Sequence, residues 1–369
     1  MSEAKKFAPK ILEIGHIPYL HGAFPETTDF YSTWPGKAVC DPARGRNLVS
    51  LANLPAIVRR LADPAYDLIA VQPIQYAPWS ARGLSRAFLR RSIWRGSTPF
   101  VRFFGPQLLR GRTAAPVAVM DLEDPFVIDR SNGFLLDKAT LYFKRELPSD
   151  HWLAFNGTFH WRVPTPRLRS HALQRARIAK LRPLPLGVPF PVMERPLPTP
   201  LPAAEKTADV FFSGLVQGSS TVRERGLPEL LALRAEGVVV DVPEHRLDMD
   251  EFMARCARAW LVWSPAGYGW QCFRTSEAAL CGSVPLVSRP TIEQHRPLLD
   301  GEHAFYYDVE PGGLSRAVRA ALSDRNRLVT MAAAARDHVL AWHTPKAIAR
   351  YVVESTLQMS QKKIAEPPR

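Results

Sequence analysis

The segment from Ser264 to Pro285 combines residue types that bind an anion and a sugar hydroxyl. Gly267 and Gly269 allow the backbone to approach a ligand closely, and no Ser, Thr, Asp or Asn stands where the following helix is expected to begin. A helix start without a side-chain cap carries about half a positive charge and suits a phosphate. The segment therefore predicts a phosphate site between a strand and a helix.

Two charged residues, Arg274 and Glu277, share one face of this helix, which we predict over residues 271–281. The guanidinium is suited to a charge-assisted hydrogen bond to the same anion, and the carboxylate to two hydroxyl hydrogen bonds from a ribose. Spacing alone favours a simpler alternative, a surface ion pair of very little energetic value.

Both halves of the chain alternate apolar strand-like runs with helical segments, the pattern of a parallel sheet with helices on its faces. Ligands bind beyond the carboxyl ends of such strands, which places His16, Gln72 and Asp121 near a cleft in the N-terminal half. In the C-terminal half, the first strand runs into Ser213 and Gly214, which by themselves read as a plain turn.

A proline-rich stretch over residues 183–202 separates the two halves. Proline at this density is incompatible with a helix or a central strand and indicates a semi-rigid connector. We predict an N-terminal domain over residues 1–190, a linker over 191–208, a second domain over 209–345, and a C-terminal helix and tail over 346–369 that packs back on the N-terminal domain.

The chain has 369 residues and a formal net charge of +13, which favours polyanionic or phosphate-bearing partners. Residues 82–112 are rich in arginine and aromatic residues and contain no acidic residue. This composition suits an anionic membrane surface, or a solvated basic face whose apolar residues turn inward. The sequence has no run of about 18 apolar residues and no apolar leader, so we expect a cytoplasmic protein, free or peripheral at the inner face of the membrane.

The order Phe-Arg-x-x-Glu-Ala-x-x-x-Gly-x-x-Pro, which begins at Phe273, resembles the nucleotide-sugar-binding motif of the group-1 and exostosin-like glycosyltransferases. The matching residues are Gly267, Gly269, Arg274, Glu277, Ala278, Gly282 and Pro285. The resemblance is clear over about residues 209–345 and is limited to the general strand–helix alternation in the N-terminal half. It implies an α/β protein of the GT-B fold, with two Rossmann-like domains facing each other across a cleft.

By this resemblance the protein transfers a sugar from a nucleotide-sugar donor to a glycan or lipid-linked acceptor, in cell-surface polysaccharide or glycoconjugate synthesis. Glu277 is expected to hold the ribose, and Arg274 and the loop amides from Gly267 to Gln271 to face the diphosphate. The full set of implied donor-binding residues is Ser213, Gly214, Gly267, Tyr268, Gly269, Trp270, Arg274, Glu277 and His303. For His303 the alternative is a surface histidine whose hydrogen bonds are already made and which contacts no donor.

In GT-B enzymes the acceptor binds the N-terminal domain, and inverting transfer needs a base for the acceptor hydroxyl. Asp121, directly after a buried-looking strand, and His16 are the candidate catalytic residues, with Glu123 and Asp124 as neighbouring alternatives. The spacing Asp121-x-x-Asp124 differs from the metal-binding DxD motif, and the four cysteines form no CxxC pair. We therefore expect neither a metal nor a cofactor.

Three points stay open on the sequence. Retaining relatives carry a second glutamate eight positions before the ribose-binding one, and here that position is Gly269, so the stereochemical outcome is undetermined. The same departure leaves open a non-catalytic relative that binds nucleotide-sugars. The net charge leaves open nucleic-acid binding, although the sequence shows no helix-turn-helix, zinc-finger or aromatic ribonucleoprotein motif.

Overall fold

The computed structural model describes residues 8–34, 41, 43, 45–73, 105–129, 132–155 and 172–365. The chain divides into two compact units. The first unit ends at Leu184 and resumes at Ala349, and the second runs from Pro185 to Ile348. Of the basic stretch predicted at residues 82–112, all but residues 105–112 lies outside the described residues.

In the first unit, the described residues form one parallel sheet. Its strands are β1 (Ile11–Gly15), β2 (Thr28–Ser32), β3 (Arg46–Leu48), β4 (Leu68–Val71), β5 (Val117–Asp121), β6 (Leu141–Lys144) and β7 (Leu181–Pro183). Their order is β3-β2-β1-β4-β5-β6-β7, with parallel pairing throughout. The direction of this order reverses between β1 and β4, and α/β sheets bind ligands at such a reversal.

Helices cover this sheet and close its core. They are α1 (Tyr19–Ala23), α2 (Leu54–Leu61), α3 (Gly133–Lys138) and α4 (Ala172–Ile178). Ile57 of α2 and Leu135 of α3 pack with Leu12, Ile14 and Val119 of the strands in one fully buried cluster. The continuous apolar runs of the central strands therefore reflect burial on both faces of the sheet.

In the second unit, the described residues form another parallel sheet, with the order β12-β11-β10-β8-β9 once its strands are numbered along the chain. The strands are β8 (Ala208–Phe211), β9 (Val240–Asp241), β10 (Ala259–Ser264), β11 (Val284–Ser288) and β12 (Phe305–Tyr307). Here the order reverses between β8 and β10. The two parallel sheets confirm the predicted fold class.

The remaining helices are α5 (Phe190–Met193), α6 (Thr221–Ala232), α7 (Met249–Arg258), α8 (Phe273–Leu280), α9 (Gly313–Leu322), α10 (Arg325–Trp342) and α11 (Pro345–Ala365). Ser220, Asp248 and Asp324 cap α6, α7 and α10, since each side chain accepts a hydrogen bond from the backbone N–H three residues later. From Ala349 on, α11 belongs to the first unit, where the Tyr351 hydroxyl donates to the Pro183 carbonyl at 3.2 Å.

The prediction that residues 183–202 form neither a helix nor a central strand is wrong in one detail, the short helix α5. Pro183 ends β7, but β7 is an edge strand and agrees with the prediction, because it does not need a donor on its outer side. Pro191 lies in the first turn of α5, where a proline costs no hydrogen bond because first-turn N–H groups have no partner within the helix.

Two classes of feature are absent from the described ranges. None of their helices has an apolar stretch of the length and purity that crosses a bilayer. Likewise, no group of three or more His, Cys, Asp or Glu side chains within these ranges is arranged to hold a metal ion.

Candidate functional site

The segment that the sequence assigns to phosphate binding lies where the strand order of the second sheet reverses, between β8 and β10. β8 leads into Ser213 and Gly214, and β10 leads into the glycine loop of residues 265–272, which precedes α8. Because β8 and β10 are parallel, both loops leave the sheet at the same edge. The structure therefore brings these two predicted segments together.

Helix α8 begins without a side-chain cap, as predicted. Its N-cap residue, Cys272, makes no capping hydrogen bond, and the first turn contains no acidic residue. The helix dipole therefore makes this end attractive to an anion. At the other end, Gly282 has a φ of 72°, the left-handed conformation that commonly terminates a helix and that glycine adopts without strain.

Arg274 joins the start of α8 to the loop after β8. The side chain is buried, and its Nε and Nη2 donate to the Ser213 carbonyl at 3.0 and 2.6 Å. The guanidinium carbon lies 4.9 Å from the centre of the Phe212 ring. A Cβ on Gly214 would lie 2.3 Å from Nη2, so the glycine at that position makes room for the guanidinium.

A second buried arginine, Arg223 of α6, joins the loops after β8 and β10. Its Nη1 donates to the Leu215 carbonyl at 3.0 Å, and its Nη2 donates to the Pro265 carbonyl at 3.4 Å. A Cβ on Gly267 would lie 2.5 Å from Nη2, so this glycine also makes room for a guanidinium. The Nε of Arg223 is buried and has no hydrogen-bond partner within the described residues.

Neither arginine is hydrogen-bonded to a carboxylate in the part of the chain that the structure describes. Arg223 and Arg274 are 8% and 7% exposed, and neither forms an ion pair with any carboxylate of the described chain. Burial lowers the pKa of Arg223, and the positive charge of Arg274 lowers it further. Ser219, in the loop before α6, also has a buried hydroxyl without a partner among the described residues. Because buried charges are normally paired, this arrangement is suited to an anion.

Glu277 lies almost one turn after Arg274 on the same helix and is 6% exposed. Its carboxylate forms no hydrogen bond or ion pair with the described residues, so the structure lacks the surface ion pair that spacing alone favours. Burial raises the pKa of the Glu277 carboxyl to about 7, and the positive charge of Arg274 opposes that rise. A buried carboxylate whose oxygens have no partner is suited to accept hydroxyl hydrogen bonds from a ligand.

The glycine loop turns tightly ahead of α8. The Gly267 N–H donates to the Gly269 carbonyl at 2.8 Å, and the Trp270 Nε1 donates at 3.0 Å to the carbonyl that ends β11. Tyr268, at the tip of the loop, is 69% exposed. Trp270 therefore fixes the loop against the sheet, while Tyr268 is open to solvent.

His303 does not join the other predicted donor-binding residues. It lies just before β12, at the amino end of a strand that is parallel to its neighbour, whereas the site lies at carboxyl ends. Its Nδ1 accepts a hydrogen bond from the Leu299 N–H at 3.1 Å, and its ring lies 4.5 Å from that of His338. The long loop after β11 carries His303 away from the site edge, which the sequence did not reveal.

In the first unit, His16 follows β1 and Gln72 follows β4, on the two sides of the reversal in strand order. Gln72 Oε1 accepts hydrogen bonds from the backbone N–H groups of His16 and Ile17, both at 3.0 Å, and thereby fixes the loop after β1. Burial lowers the pKa of His16, and the charge of Asp121 opposes that change. At neutral pH His16 is thus an uncharged imidazole, the form that accepts a proton.

Asp121, the other predicted base, ends β5 with both carboxylate oxygens engaged. Oδ2 accepts a hydrogen bond from the Tyr142 hydroxyl at 2.8 Å, and Oδ1 accepts one from the Glu123 N–H at 3.1 Å. Oδ1 also lies 3.2 Å from the Nζ of Lys144, whose side chain is fully buried. Asp121 therefore neutralises a buried lysine.

Comparison with known protein families gives a match in the C-terminal part of the chain. Residues 229–354 match the family described as glycosyl transferase-like. Arg274 and Glu277 lie inside this match, whereas Ser213, Gly214 and Arg223 precede it. No curated protein sequence matches the chain significantly.

Solved structures resemble nearly the whole chain. HepE of Anabaena, in complex with UDP, has a TM-score of 0.51 at 13% identity, over 94% of this chain and 99% of that one. A glycosyltransferase from Rickettsia africae has a TM-score of 0.54 at 9% identity, over 95% and 98% of the two chains. An alpha-glucosyltransferase in complex with UDP and a 13-mer DNA has a TM-score of 0.51 at 9% identity, over 94% and 98%. The chain has the GT-B fold.

One residue of this GT-B protein's site, Arg223, is missed by the sequence interpretation. The sequence pattern predicts the helix after β8 only from about Pro228 to Ala235, which leaves Arg223 outside it. The helix instead begins at Thr221 and contains Pro228 in its interior. Ser220 is the sequence signal that could have placed the helix start before Arg223, because serine is a preferred N-cap residue. Its side chain caps the helix by accepting a hydrogen bond from the Arg223 N–H at 3.3 Å.

Proposed function

We propose that this protein is a glycosyltransferase that binds a nucleotide-sugar donor at the reversal between β8 and β10. The observation that carries the proposal is the pair of buried arginines, Arg223 and Arg274, without a carboxylate partner among the described residues. Two guanidinium groups beside an uncapped helix start supply the charge that a diphosphate needs. The match of residues 229–354 to glycosyl transferase-like proteins supports the same reading.

Each part of the donor then has a partner. The diphosphate contacts the guanidinium groups of Arg223 and Arg274 and the start of α8. The ribose hydroxyls donate to the Glu277 carboxylate, which has no partner of its own within the described part of the chain. The loop glycines keep side chains out of the space that the arginines occupy. UDP is the first nucleotide to test, because HepE and the alpha-glucosyltransferase are described in complex with it.

Transfer breaks the bond between the sugar's anomeric carbon and the diphosphate oxygen. The acceptor oxygen forms the new bond to that carbon, and the electron pair of the old bond leaves with the nucleoside diphosphate. Arg223 and Arg274 stabilise the charge that develops on this leaving group. The acceptor hydroxyl loses its proton to a base, and His16 fits that role better than Asp121, whose oxygens are both engaged.

For the acceptor we propose a hydroxyl on a glycan or on a lipid-linked sugar, as in cell-surface polysaccharide synthesis. The support for a membrane-bound acceptor is the composition of residues 82–112, which suits a peripheral contact with anionic lipid. Most of this stretch lies outside the described residues, so the proposal rests on sequence alone.

The donor site is tested by thermal unfolding with UDP, GDP, ADP and TDP, followed by a turnover assay. We expect one nucleoside diphosphate to raise the melting temperature, since a ligand that binds only the folded state stabilises it. The corresponding nucleotide-sugar is then incubated with acceptor glycans, and release of nucleoside diphosphate is measured. If a nucleotide-sugar binds but no nucleoside diphosphate is released, the protein is the non-catalytic alternative. If none of the nucleotides raises the melting temperature, the proposed donor site is wrong.

A further inference from the structure

A carboxylate outside the proposed chemistry is fully buried in the strand that leads to His16. Glu13, in the middle of β1, is 0% exposed, although carboxylates are rarely buried without compensating partners. Burial raises the pKa of the Glu13 carboxyl to about 7, and hydrogen bonds from the backbone that follows β1 oppose that rise. The buried carboxylate is therefore costly, and the segment after β1 supplies the contacts that offset the cost.

Three consecutive backbone N–H groups donate to Glu13. The Tyr19 and Leu20 N–H groups donate to its Oε1 at 2.9 and 3.1 Å, and the His21 N–H donates to its Oε2 at 2.8 Å. These are the first three residues of α1, and the first N–H groups of a helix have no partner within it. The carboxylate therefore anchors the start of α1 to the strand, directly after the loop that carries His16.

Gln72, after β4, connects this anchor to His16. Its Nε2 donates to the Glu13 Oε1 at 3.3 Å and to the Ile17 carbonyl at 2.6 Å, while its Oε1 accepts from the His16 and Ile17 N–H groups. A Cβ on Gly15 would lie 2.3 Å from the amide carbon of Gln72, so the glycine leaves room for this side chain. Because an ionised carboxylate only accepts hydrogen bonds, Glu13 fixes which way the Gln72 amide faces.

We propose that Glu13 is a positioning residue for His16 and acts through Gln72 and the start of α1. The carboxylate orients the Gln72 amide, the amide holds the backbone of the loop, and His16 is thereby kept at the carboxyl end of β1. A base that is already in place needs no rearrangement when the acceptor hydroxyl arrives. The inference rests on the proposed glycosyltransferase function, in which His16 is the base.

The test is an NMR titration of the His16 imidazole in the full chain, with His16→Ala to assign its C–H signal. In the wild type we expect a pKa below the ordinary value of about 6.5, because burial lowers it. Glu13→Gln keeps the shape of the side chain but places amide N–H groups against a backbone N–H donor. We expect the loosened loop to expose His16, and its pKa to rise by at least about 0.5 toward the ordinary value.

Two further variants complete the titration. Gln72→Met removes the link between Glu13 and His16 and is expected to raise the pKa of His16 in the same way. Asp209→Asn is the matched control, because Asp209 is a buried carboxylate of the second unit that also accepts a hydrogen bond from a backbone N–H, that of Val239. This control is expected to leave the pKa of His16 unchanged.

Turnover of the nucleotide-sugar identified in the donor assay is measured on the same proteins. We expect Glu13→Gln to lower kcat about tenfold or more, because the base is no longer held in place. The KM for the nucleotide-sugar is expected to stay the same, since Glu13 lies in the first unit and the donor site in the second. Asp209→Asn is expected to keep the wild-type kcat.

The inference is overturned if the pKa of His16 is the same in Glu13→Gln, Gln72→Met and the wild type. A Glu13→Gln protein that melts earlier without a change in the pKa of His16 has the same meaning, because Glu13 is then purely structural. A wild-type His16 that titrates at or above about 6.5 also overturns the inference. If the wild type shows no UDP-dependent rise in melting temperature, the proposed donor site fails instead, while the His16 titration still decides the role of Glu13.

Discussion

Arg223 and Arg274 donate hydrogen bonds to carbonyl oxygens only two residues apart, those of Leu215 and Ser213. The two guanidinium groups come from different helices and meet at one loop, the loop after β8. Each is close to a glycine that leaves it room, Gly267 for Arg223 and Gly214 for Arg274. This convergence of two like charges defines the site.

Replacing Arg223 by Met separates ligand binding from stability. We expect the ligand-free variant to melt at the same temperature as wild type or higher, because the change removes a buried charge that has no carboxylate partner among the described residues. UDP affinity, measured by titration calorimetry, is expected to fall about 10- to 100-fold with the loss of a charge-assisted contact. Arg319→Met is the control, since Arg319 is an exposed residue paired with Glu236. Unchanged UDP affinity in Arg223→Met would contradict the assignment.

Glu277→Gln is expected to stabilise the protein increasingly as pH rises. Burial raises the pKa of Glu277 from 4.5 to about 7, so ionisation in the folded state costs free energy above pH 4.5 and the cost is complete above pH 7. Between pH 5 and pH 8 the stability advantage of the variant should grow by about 2–3 kcal/mol, or about 5–10 °C in melting temperature.

The same substitution is expected to abolish the UDP-dependent rise in melting temperature, because the amide replaces a charged acceptor for the ribose hydroxyls. Thermal unfolding at the two pH values, with and without UDP, measures both effects on one variant. If the variant keeps the UDP-dependent rise in melting temperature, Glu277 is not part of the donor site. A stability advantage that does not depend on pH shows that the carboxyl is not buried as described.

Alkylation of Cys272 reports on the start of α8. Cys272 is the N-cap of that helix, and the Arg274 Nη1 lies 3.6 Å from its sulfur. We expect UDP at saturation to slow the reaction of Cys272 with N-ethylmaleimide about tenfold or more, because bound nucleotide occupies the same space. Mass spectrometry of peptides follows the reaction, and the buried Cys256 and Cys281 serve as internal references for unfolding. Equal rates with and without UDP, while UDP is bound, place the nucleotide elsewhere.

Asp121→Asn distinguishes a structural carboxylate from a catalytic one. The variant leaves the buried Lys144 ammonium without its partner, and loss of one member of a buried ion pair costs about 3–5 kcal/mol. We therefore expect a large drop in melting temperature. Asp137→Asn removes the partly exposed pair with Arg177 and is expected to cost no more than about 1 kcal/mol. An Asp121→Asn protein with wild-type stability and lost turnover would make Asp121 the base.

Much of the fold is readable from the sequence, because its signals are local. The apolar runs predict the central strands of both sheets, and Gly282 marks the end of α8. The uncapped start of α8 is likewise visible as missing capping residues before Phe273. These features depend on neighbouring residues along the chain.

The parts of the site that the sequence misses depend on distant residues. Arg223 escapes because the sequence pattern predicts the helix only from about Pro228, whereas the helix begins at Thr221 and continues through the proline. The structural role of Asp121 depends on Lys144, which lies on the next strand. The sequence interpretation includes His303 among the donor-binding residues, but the path of the loop after β11 places its ring beside that of His338. Three-dimensional neighbours decide all three cases.

A crystal structure of the protein with UDP tests the central claim most directly. We expect diphosphate oxygens within about 3.5 Å of both the Arg223 and Arg274 guanidinium groups, and ribose hydroxyls at the same distance from the Glu277 carboxylate. UDP bound with its diphosphate elsewhere, and with both guanidinium groups still lacking an anionic partner, would contradict the account.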